Sequence, residues 1–125
     1  MRTDEHKIAT VLAYVDGFAQ ADPAMIADLF AEDATVEDPV GTPIKRRKAE
    51  IQEFYTYATA TGAKLELRGD PRCAGDSVAF AFAVKLEHEG QRSVIEVIDT
   101  FRFDDAGKVV EMRAFSGPGN VKPGG

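Results

Sequence analysis

The chain has 125 residues, 44% of them hydrophobic and 29% charged, and this balance predicts one globular domain, 1–125, with its own core. Its net charge of -6 argues against nucleic acid and anionic membranes as partners, because both are bound by basic faces. One cysteine and two histidines argue against a disulfide framework and a His/Cys metal site. The polar start of the chain does not resemble a signal peptide, and no apolar stretch reaches the ~20 residues that cross a bilayer. We therefore expect a cytoplasmic protein without a metal or a cofactor.

Three helices are predicted in the first half of the chain. Thr3 is expected to cap the first, which carries an apolar stripe at helical spacing with Tyr14 on its edge. Asp22-Pro23 predicts the start of a short second helix. A third helix is expected from about residue 47 to residue 61, with Ile51, Phe54, Tyr55 and Ala58 on its buried side. The basic run 45–48 before it is interpreted as a solvated loop.

The second half of the chain has the pattern of strands joined by hairpins. Bulky residues alternate with alanines between Val78 and Leu86, and turns are expected at 89–90 and 104–107. The last strand is expected over 109–115, and residues 117–125, rich in glycine and proline, are expected to be a loose tail. Helices followed by antiparallel strands predict an α+β domain in which a curved sheet wraps the helices and leaves a cone-shaped apolar pocket.

Asp99 is the most informative single residue. It has the strand parity of a row of large apolar side chains, so its carboxyl group is predicted to lie among them. That row is Ile95, Val97, Phe101 and Phe103. Desolvation raises the pKa of a carboxyl group, and a neutral acid in a dry pocket can donate a hydrogen bond to a developing enolate oxygen. The alternative is a structural aspartate satisfied by backbone groups, Arg102 or Arg113, and parity alone leaves both interpretations open.

Asp38 and Tyr14 are two further candidates. Asp38 follows Val36 on the apolar parity of a short strand and precedes Pro39, which fits a partly shielded general base. Considered alone, the pattern favours an Asx-type turn at a strand end. Tyr14 offers a hydroxyl donor that is neutral at physiological pH, although a core tyrosine with its tip in water is the default interpretation. Tyr55, on the buried side of the third helix, is a candidate hydrogen-bond partner for Tyr14.

Taken together, these residues resemble the ketosteroid isomerase (steroid Δ5-3-ketoisomerase) family, from Val11 to about Phe115. The most specific blocks are residues 29–41, LFAEDATVEDPVG, and residues 97–103, VIDTFRF. The combination of Tyr14, Asp-Pro at 38 and Asp99 is more specific to this family than either block. The resemblance implies the cone-shaped fold shared with nuclear transport factor 2-like and SnoaL-like proteins, in which three N-terminal helices pack on a curved, mainly antiparallel mixed sheet.

The same resemblance implies a cofactor-free proton shuttle that converts 3-oxo-Δ5-steroids to 3-oxo-Δ4-steroids. Asp38 would remove a proton from C4 and return it at C6, while Tyr14 and protonated Asp99 would donate to the C3 oxygen, and Tyr55 would support Tyr14. This family is itself the well-known case of a carboxylic acid kept neutral in an apolar site, so that pKa argument comes from the resemblance. The residues implied to line the steroid slot are Phe54, Phe82, Val84, Phe101, Met112 and Phe115.

The resemblance also implies a homodimer that pairs through the outer face of the sheet. That face would carry Val94, Ile98 and Thr100.

Three alternatives accompany this interpretation. A polyketide cyclase or dehydratase of the same fold commonly uses histidine, and the predicted pocket segments contain none. An epoxide hydrolase would need a buried Asp-Arg-Asp trio, for which Arg102 and Arg113 are the candidate arginines. A non-catalytic dimeric module for a small apolar ligand would have to tolerate two pocket carboxyls and a tyrosine donor, each of which costs stability if it is unmatched.

Overall fold

The computed structural model describes residues 3–124, in which three helices pack against one curved sheet. The helices are α1 (Asp4–Ala19), α2 (Pro23–Ala27) and α3 (Arg47–Ala60). The strands are β1 (Phe30–Glu37), β2 (Lys45–Arg46), β3 (Lys64–Leu67), β4 (Arg72–Ala74), β5 (Ser77–His88), β6 (Gln91–Phe103), β7 (Val109–Phe115) and β8 (Val121–Pro123). The α+β prediction is confirmed. Within the described residues, no helix has both the length and the apolar character needed to span a membrane.

The sheet is mixed and mainly antiparallel, as the resemblance implied. Its strand order is β2-β1-β7-β6-β5-β3, with β4 added to β5 and β8 added to β6. Only the pairing of β1 with β7 is parallel among the pairs within residues 3–124. The long β5–β6 hairpin turns at Glu89 (φ 51°) and Gly90 (φ 78°), the positive φ values that a tight two-residue turn requires.

The helix ends follow the predicted signals. The Thr3 side chain accepts a hydrogen bond from the His6 backbone N–H at 3.1 Å, and Asp22 accepts one from Met25 at 3.1 Å. Gly62, just beyond α3, has a φ of 78°, which glycine adopts at little cost. These local signals are sufficient because each cap satisfies backbone donors of its own helix.

Two segments differ from the sequence-based expectation. The basic run 45–48 was expected to be a loop leading into a helix, but its first two residues form β2 and pair with Thr35 and Val36; α3 begins at Arg47, as expected. In the segment expected to be a loose tail, β8 pairs with residues 93–95 of β6. Strand β7 leaves that part of β6 uncovered, so its backbone N–H and C=O groups gain partners from the last strand.

The core is an aromatic cluster between α1, α3 and the inner face of the sheet. The Tyr14 ring makes edge contacts with Phe18, Phe80, Phe101 and Tyr55 at centroid distances between 5.2 and 6.0 Å. Burial of each such ring contributes roughly 1.5–3 kcal/mol. This packing fixes the ring of Tyr14 and therefore the position of its hydroxyl group.

Candidate active site

A cavity of about 310 Å³ lies between the helices and the inner face of the sheet. Tyr14 of α1, Asp38 after β1 and Asp99 of β6 all border it, so residues far apart in the chain meet at one site. The other walls are mostly apolar, with Phe82, Val84 and Leu86 on β5 and Ile95 and Val97 on β6. Its volume is at the lower end of the ~300–1,000 Å³ that is usual for ligand pockets.

Asp99 lies on the inner face of β6 and is only 1% exposed. Neither of its carboxyl oxygens has a hydrogen-bond partner among the described residues. Both arginines considered as its partners pair elsewhere: Arg102 with Glu111 at 3.5 Å and Arg113 with Glu37 at 3.2 Å. A buried carboxyl group without a partner is unusual in proteins, and a catalytic or binding role is one of the reasons for which such a group is found.

The pKa of Asp99 is raised well above its usual value, first by burial and then by the nearby charge of Asp38. The Tyr14 hydroxyl does not reach hydrogen-bond geometry with this carboxyl group but is close enough to oppose the rise. Removal from water penalises the charged form of a carboxyl group, so the protonated form is favoured. In that form Asp99 is a hydrogen-bond donor on the cavity wall.

Asp38 is half-buried at the point where β1 ends, and its peptide bond to Pro39 is cis. Burial raises the pKa of Asp38 to about 6, and the ammonium group of Lys45 opposes the rise. A carboxyl group with this pKa is mostly ionised at pH 7 and is still basic enough to take a proton. Lys45 is the residue that sequence reasoning missed, since β2, which carries it, was expected to be a loop.

Tyr14 and Tyr55 share a buried hydrogen bond with 3.0 Å between their hydroxyl oxygens. Burial is the largest cause that raises the pKa of both phenols, so both stay protonated at neutral pH. Of the two, only Tyr14 borders the cavity. Tyr55 lies behind it on α3, where it can hold the Tyr14 hydroxyl in place.

Of the side chains expected to line a steroid slot, Phe82 and Val84 do so and four others do not. Phe101 and Met112 are fully buried in the core beneath the cavity wall. Phe54 packs on Tyr55 and lies under Lys45. These three side chains support the wall without bordering the cavity.

Phe115 is placed outside the cavity, on the opposite face of the sheet. It is 43% exposed and lies under the Arg113 guanidinium at 5.3 Å. Met112 and Ala114 take the inward parity of β7, so Phe115 points outward. The cavity lining also includes residues that were not predicted to border it, among them Leu86, Ile95 and Val97. These three lie in the apolar rows of β5 and β6, so strand parity was the signal that could have found them.

The cavity is therefore bordered by one carboxyl group that is mostly ionised at pH 7 and by two groups whose neutral forms can donate hydrogen bonds, in apolar surroundings. Such a set can remove a proton next to a carbonyl group and stabilise the negative oxygen that results. Among residues 3–124, no group of three or more His, Cys, Asp or Glu side chains is arranged to hold a metal ion.

Comparison with known proteins gives three similarities. The SnoaL-like domain profile matches residues 11–112. The Steroid Delta-isomerase of Nocardioides simplex is 42% identical over 113 residues, which cover 90% of this chain and 91% of that protein. One solved structure superposes on this chain with a TM-score of 0.92. It is that of SalBIII, an epoxide hydrolase/cyclase-like enzyme with a role in pyran ring formation in the polyether salinomycin. It is 26% identical, and the superposition covers 99% of this chain and 100% of that one.

Proposed function

The chain belongs to the SnoaL-like family, and on this premise we propose that it is a steroid Δ-isomerase that converts 3-oxo-Δ5-steroids to 3-oxo-Δ4-steroids. The observation that carries the proposal is the buried, unpartnered carboxyl of Asp99, which faces the same cavity as Asp38 and Tyr14. The 42% identity to a protein named Steroid Delta-isomerase supports the same reaction class.

The reaction is an internal proton transfer through a dienolate. The Asp38 carboxylate takes a proton from C4, and the electron pair of the broken C–H bond moves toward the C3 carbonyl to form the dienolate. The same proton then returns from Asp38 to C6, which leaves the double bond conjugated with the ketone. No atom or electron is gained or lost, so the reaction needs no co-reactant.

Tyr14 and protonated Asp99 donate hydrogen bonds to the C3 oxygen as it becomes negative. Donors that are already oriented in a water-poor site stabilise the developing charge more than water does. The apolar walls of β5 and β6 hold the ring system of the steroid and keep both carboxyl groups desolvated. The different environments of Asp38 and Asp99 thus keep one as a base and the other as an acid.

The test is turnover of 5-androstene-3,17-dione, followed by the ultraviolet band of the conjugated enone. We expect the parent protein to produce the band and Asp38→Asn to lower kcat by about 10²–10⁴-fold, because the general base is lost. Asp33→Asn is the matched control, since Asp33 is an exposed residue of the same strand. Tight steroid binding without turnover would instead indicate a binding module, and full activity of Asp38→Asn would remove that residue from its role.

A cyclase is the second candidate function. Two cavity carboxyls of opposite protonation could protonate an epoxide oxygen and deprotonate an attacking hydroxyl, and the 26% identical structure belongs to an epoxide hydrolase/cyclase-like enzyme. An Asp-Arg-Asp trio is not formed by Arg102 or Arg113, which pair with glutamates. Conversion of a hydroxy-epoxide without formation of the enone from the steroid would favour the cyclase.

We also propose that the protein is a homodimer that pairs through the outer face of the sheet. Ile98 and Phe115 are register partners on β6 and β7, and they are 50% and 43% exposed. Val94, Glu96 and Thr100 share the outward face of β6 with Ile98. A cytoplasmic location stays a prediction.

A further inference from the structure

The base Asp38 is carried on a short loop, and the side chain of the residue before it ties that loop to the sheet. Glu37 is the last residue of β1. Its Oε1 accepts a hydrogen bond from Arg113 Nε on the neighbouring strand β7 at 3.2 Å. Its Oε2 accepts one from the backbone N–H of Gly41 at 3.1 Å. One carboxylate therefore joins the sheet to the far side of the turn that begins at Asp38.

Backbone contacts hold the same loop at two further points. The Val40 N–H donates to the carbonyl oxygen of Ala114 at 2.8 Å, which anchors the middle of the turn to the end of β7. The Pro39 carbonyl oxygen accepts from both the N–H and the hydroxyl of Thr42, at 3.1 and 2.7 Å. These contacts close the turn. The Glu37 carboxylate differs from them because it is a side chain of the sheet that extends into the loop.

We propose that Glu37 is a positioning residue, whose carboxylate holds the 38–41 loop in the single arrangement that places Asp38 over the cavity. This inference rests on the proposed role of Asp38 as the base. A base that collects a proton at one carbon and returns it at another must reach both from one anchor point. A misplacement of about 1 Å can cost ~10²-fold in rate.

The Glu37 carboxylate is suited to this task because it is ionised. The Gly41 backbone N–H is the largest cause that lowers the pKa of Glu37; desolvation opposes it, and the Arg113 guanidinium lowers the pKa further. Hydrogen bonds to an ionised acceptor are stronger than those between neutral groups. Gly41 itself has a φ of 101°, which glycine adopts readily, so the turn can present its N–H to Glu37 without strain.

The sheet contains a second Glu–Arg ion pair, which does not hold the loop that carries Asp38. Glu111 on β7 pairs with Arg102 on β6 at 3.5 Å, and the glutamate and arginine types are the same as in the Glu37–Arg113 pair. Among the described residues, Glu111 makes no hydrogen bond to the loop that carries Asp38. Glu111→Ala therefore removes a comparable ion pair and leaves the loop tethers in place.

The experiment compares kcat and KM for 5-androstene-3,17-dione in four variants. We expect Glu37→Ala to lower kcat ~10–100-fold with KM changed less than ~3-fold, because the base is displaced while the apolar walls are unchanged. Glu37→Gln should recover only part of the rate that Glu37→Ala loses, because its amide oxygen still accepts from Gly41 while its NH2 group cannot accept from Arg113 Nε. Glu37→Asp, which keeps the charge but is one methylene shorter, should lose rate. Glu111→Ala should stay within ~2-fold of the parent.

Each outcome separates this inference from the proposed function. Parent-like kcat in both Glu37→Ala and Glu37→Asp overturns the positioning role, and so does an equal loss in Glu111→Ala. If Glu37→Ala unfolds, the comparison of Glu37→Gln with Glu37→Asp decides: a smaller loss of kcat with Gln than with Asp supports positioning, and the reverse order overturns it. If the parent protein forms no enone, the proposed function itself fails, and if Asp38→Asn is fully active, the role of Asp38 as the base fails, whatever the Glu37 variants do.

Discussion

The hydroxyl oxygens of Tyr14 and Tyr55 lie 3.0 Å apart in the core, and only the first of these tyrosines borders the cavity. Phe18, Phe80 and Phe101 surround the Tyr14 ring, so its hydroxyl has little freedom to turn away from the cavity. In the proposed reaction Tyr55 donates to Tyr14, which leaves the proton of the Tyr14 hydroxyl for the substrate oxygen. Both phenols can donate in this way because burial keeps their pKa high.

Removal of each hydroxyl should have a different effect on the rate. Tyr14→Phe should lower kcat about 10²–10³-fold, the usual loss for one oxyanion donor. Tyr55→Phe should lower it only ~3–10-fold, because one supporting hydrogen bond contributes roughly 0.5–1.5 kcal/mol. Steady-state kinetics on the steroid ketone measure both, with Tyr57→Phe on the exposed side of α3 as the control. A loss in Tyr55→Phe as large as in Tyr14→Phe would contradict the supporting role.

The pH dependence of kcat/KM should report the ionisation of Asp38. With a pKa of about 6, activity should rise through that pH and level off above it, because only the carboxylate can take a proton. Lys45→Met removes the ammonium group that lowers this pKa, so the rising limb should move to higher pH. Lys48→Met is the control, since Lys48 pairs with Asp28 at 3.6 Å and leaves Lys45 in place. Coincident profiles for Lys45→Met and the parent would rule out this electrostatic effect.

Stability should fall as the pH rises because of Asp99. Its folded-state pKa is raised above the unfolded value near ~3.9, so between the two pKa values the folded chain holds a proton that the unfolded chain has released. The stabilising effect is complete below the unfolded pKa and is lost as pH rises through the folded pKa. Asp99→Asn cannot titrate and should remove up to ~1.4 kcal/mol per pH unit of that slope.

Urea unfolding between pH 4 and pH 8 measures this slope. Part of the decline should remain in Asp99→Asn up to about pH 6, because the pKa of Asp38 is also raised. Asp33→Asn, at an exposed site of β1, should keep the full parent slope. An unchanged slope in Asp99→Asn would show that Asp99 is ionised in the folded protein.

The outer face of the sheet should control the oligomeric state. Ile98→Glu would place a charge on each copy at the centre of the proposed interface, and two-fold symmetry doubles the effect. We expect the dimer dissociation constant to rise at least ~100-fold, because burial of an unpaired charge is costly. Sedimentation velocity measures the change, with Tyr57→Glu as the control because Tyr57 is 76% exposed on α3. A parent protein that is monomeric at all concentrations would contradict the proposal.

Much of this fold could be predicted from local patterns. The helix ends could be predicted without any partner from elsewhere in the chain. Thr3 and Asp22 accept hydrogen bonds from backbone N–H groups of their own helices, and Gly62 ends α3 with a positive φ. Asp99 could be placed on the inner face because side chains alternate along a strand. Strand parity does not predict how deep an inward-facing side chain lies in the cone-shaped fold. Phe101 has the same inward parity as Asp99, yet it lies in the core and does not border the cavity.

Neighbours within a few residues are sufficient to predict the helix ends, the strand parity and the presence of one carboxyl among phenylalanines. Packing between distant segments determines which inward-facing side chains reach the cavity, and it leaves the Asp99 carboxyl without a hydrogen-bond partner among the described residues. It also determines that Lys45 lies close enough to shift the pKa of Asp38, and that Glu37 meets Arg113 through the parallel pairing of β1 with β7. These contacts join segments up to 76 residues apart, and no local propensity encodes such a distance.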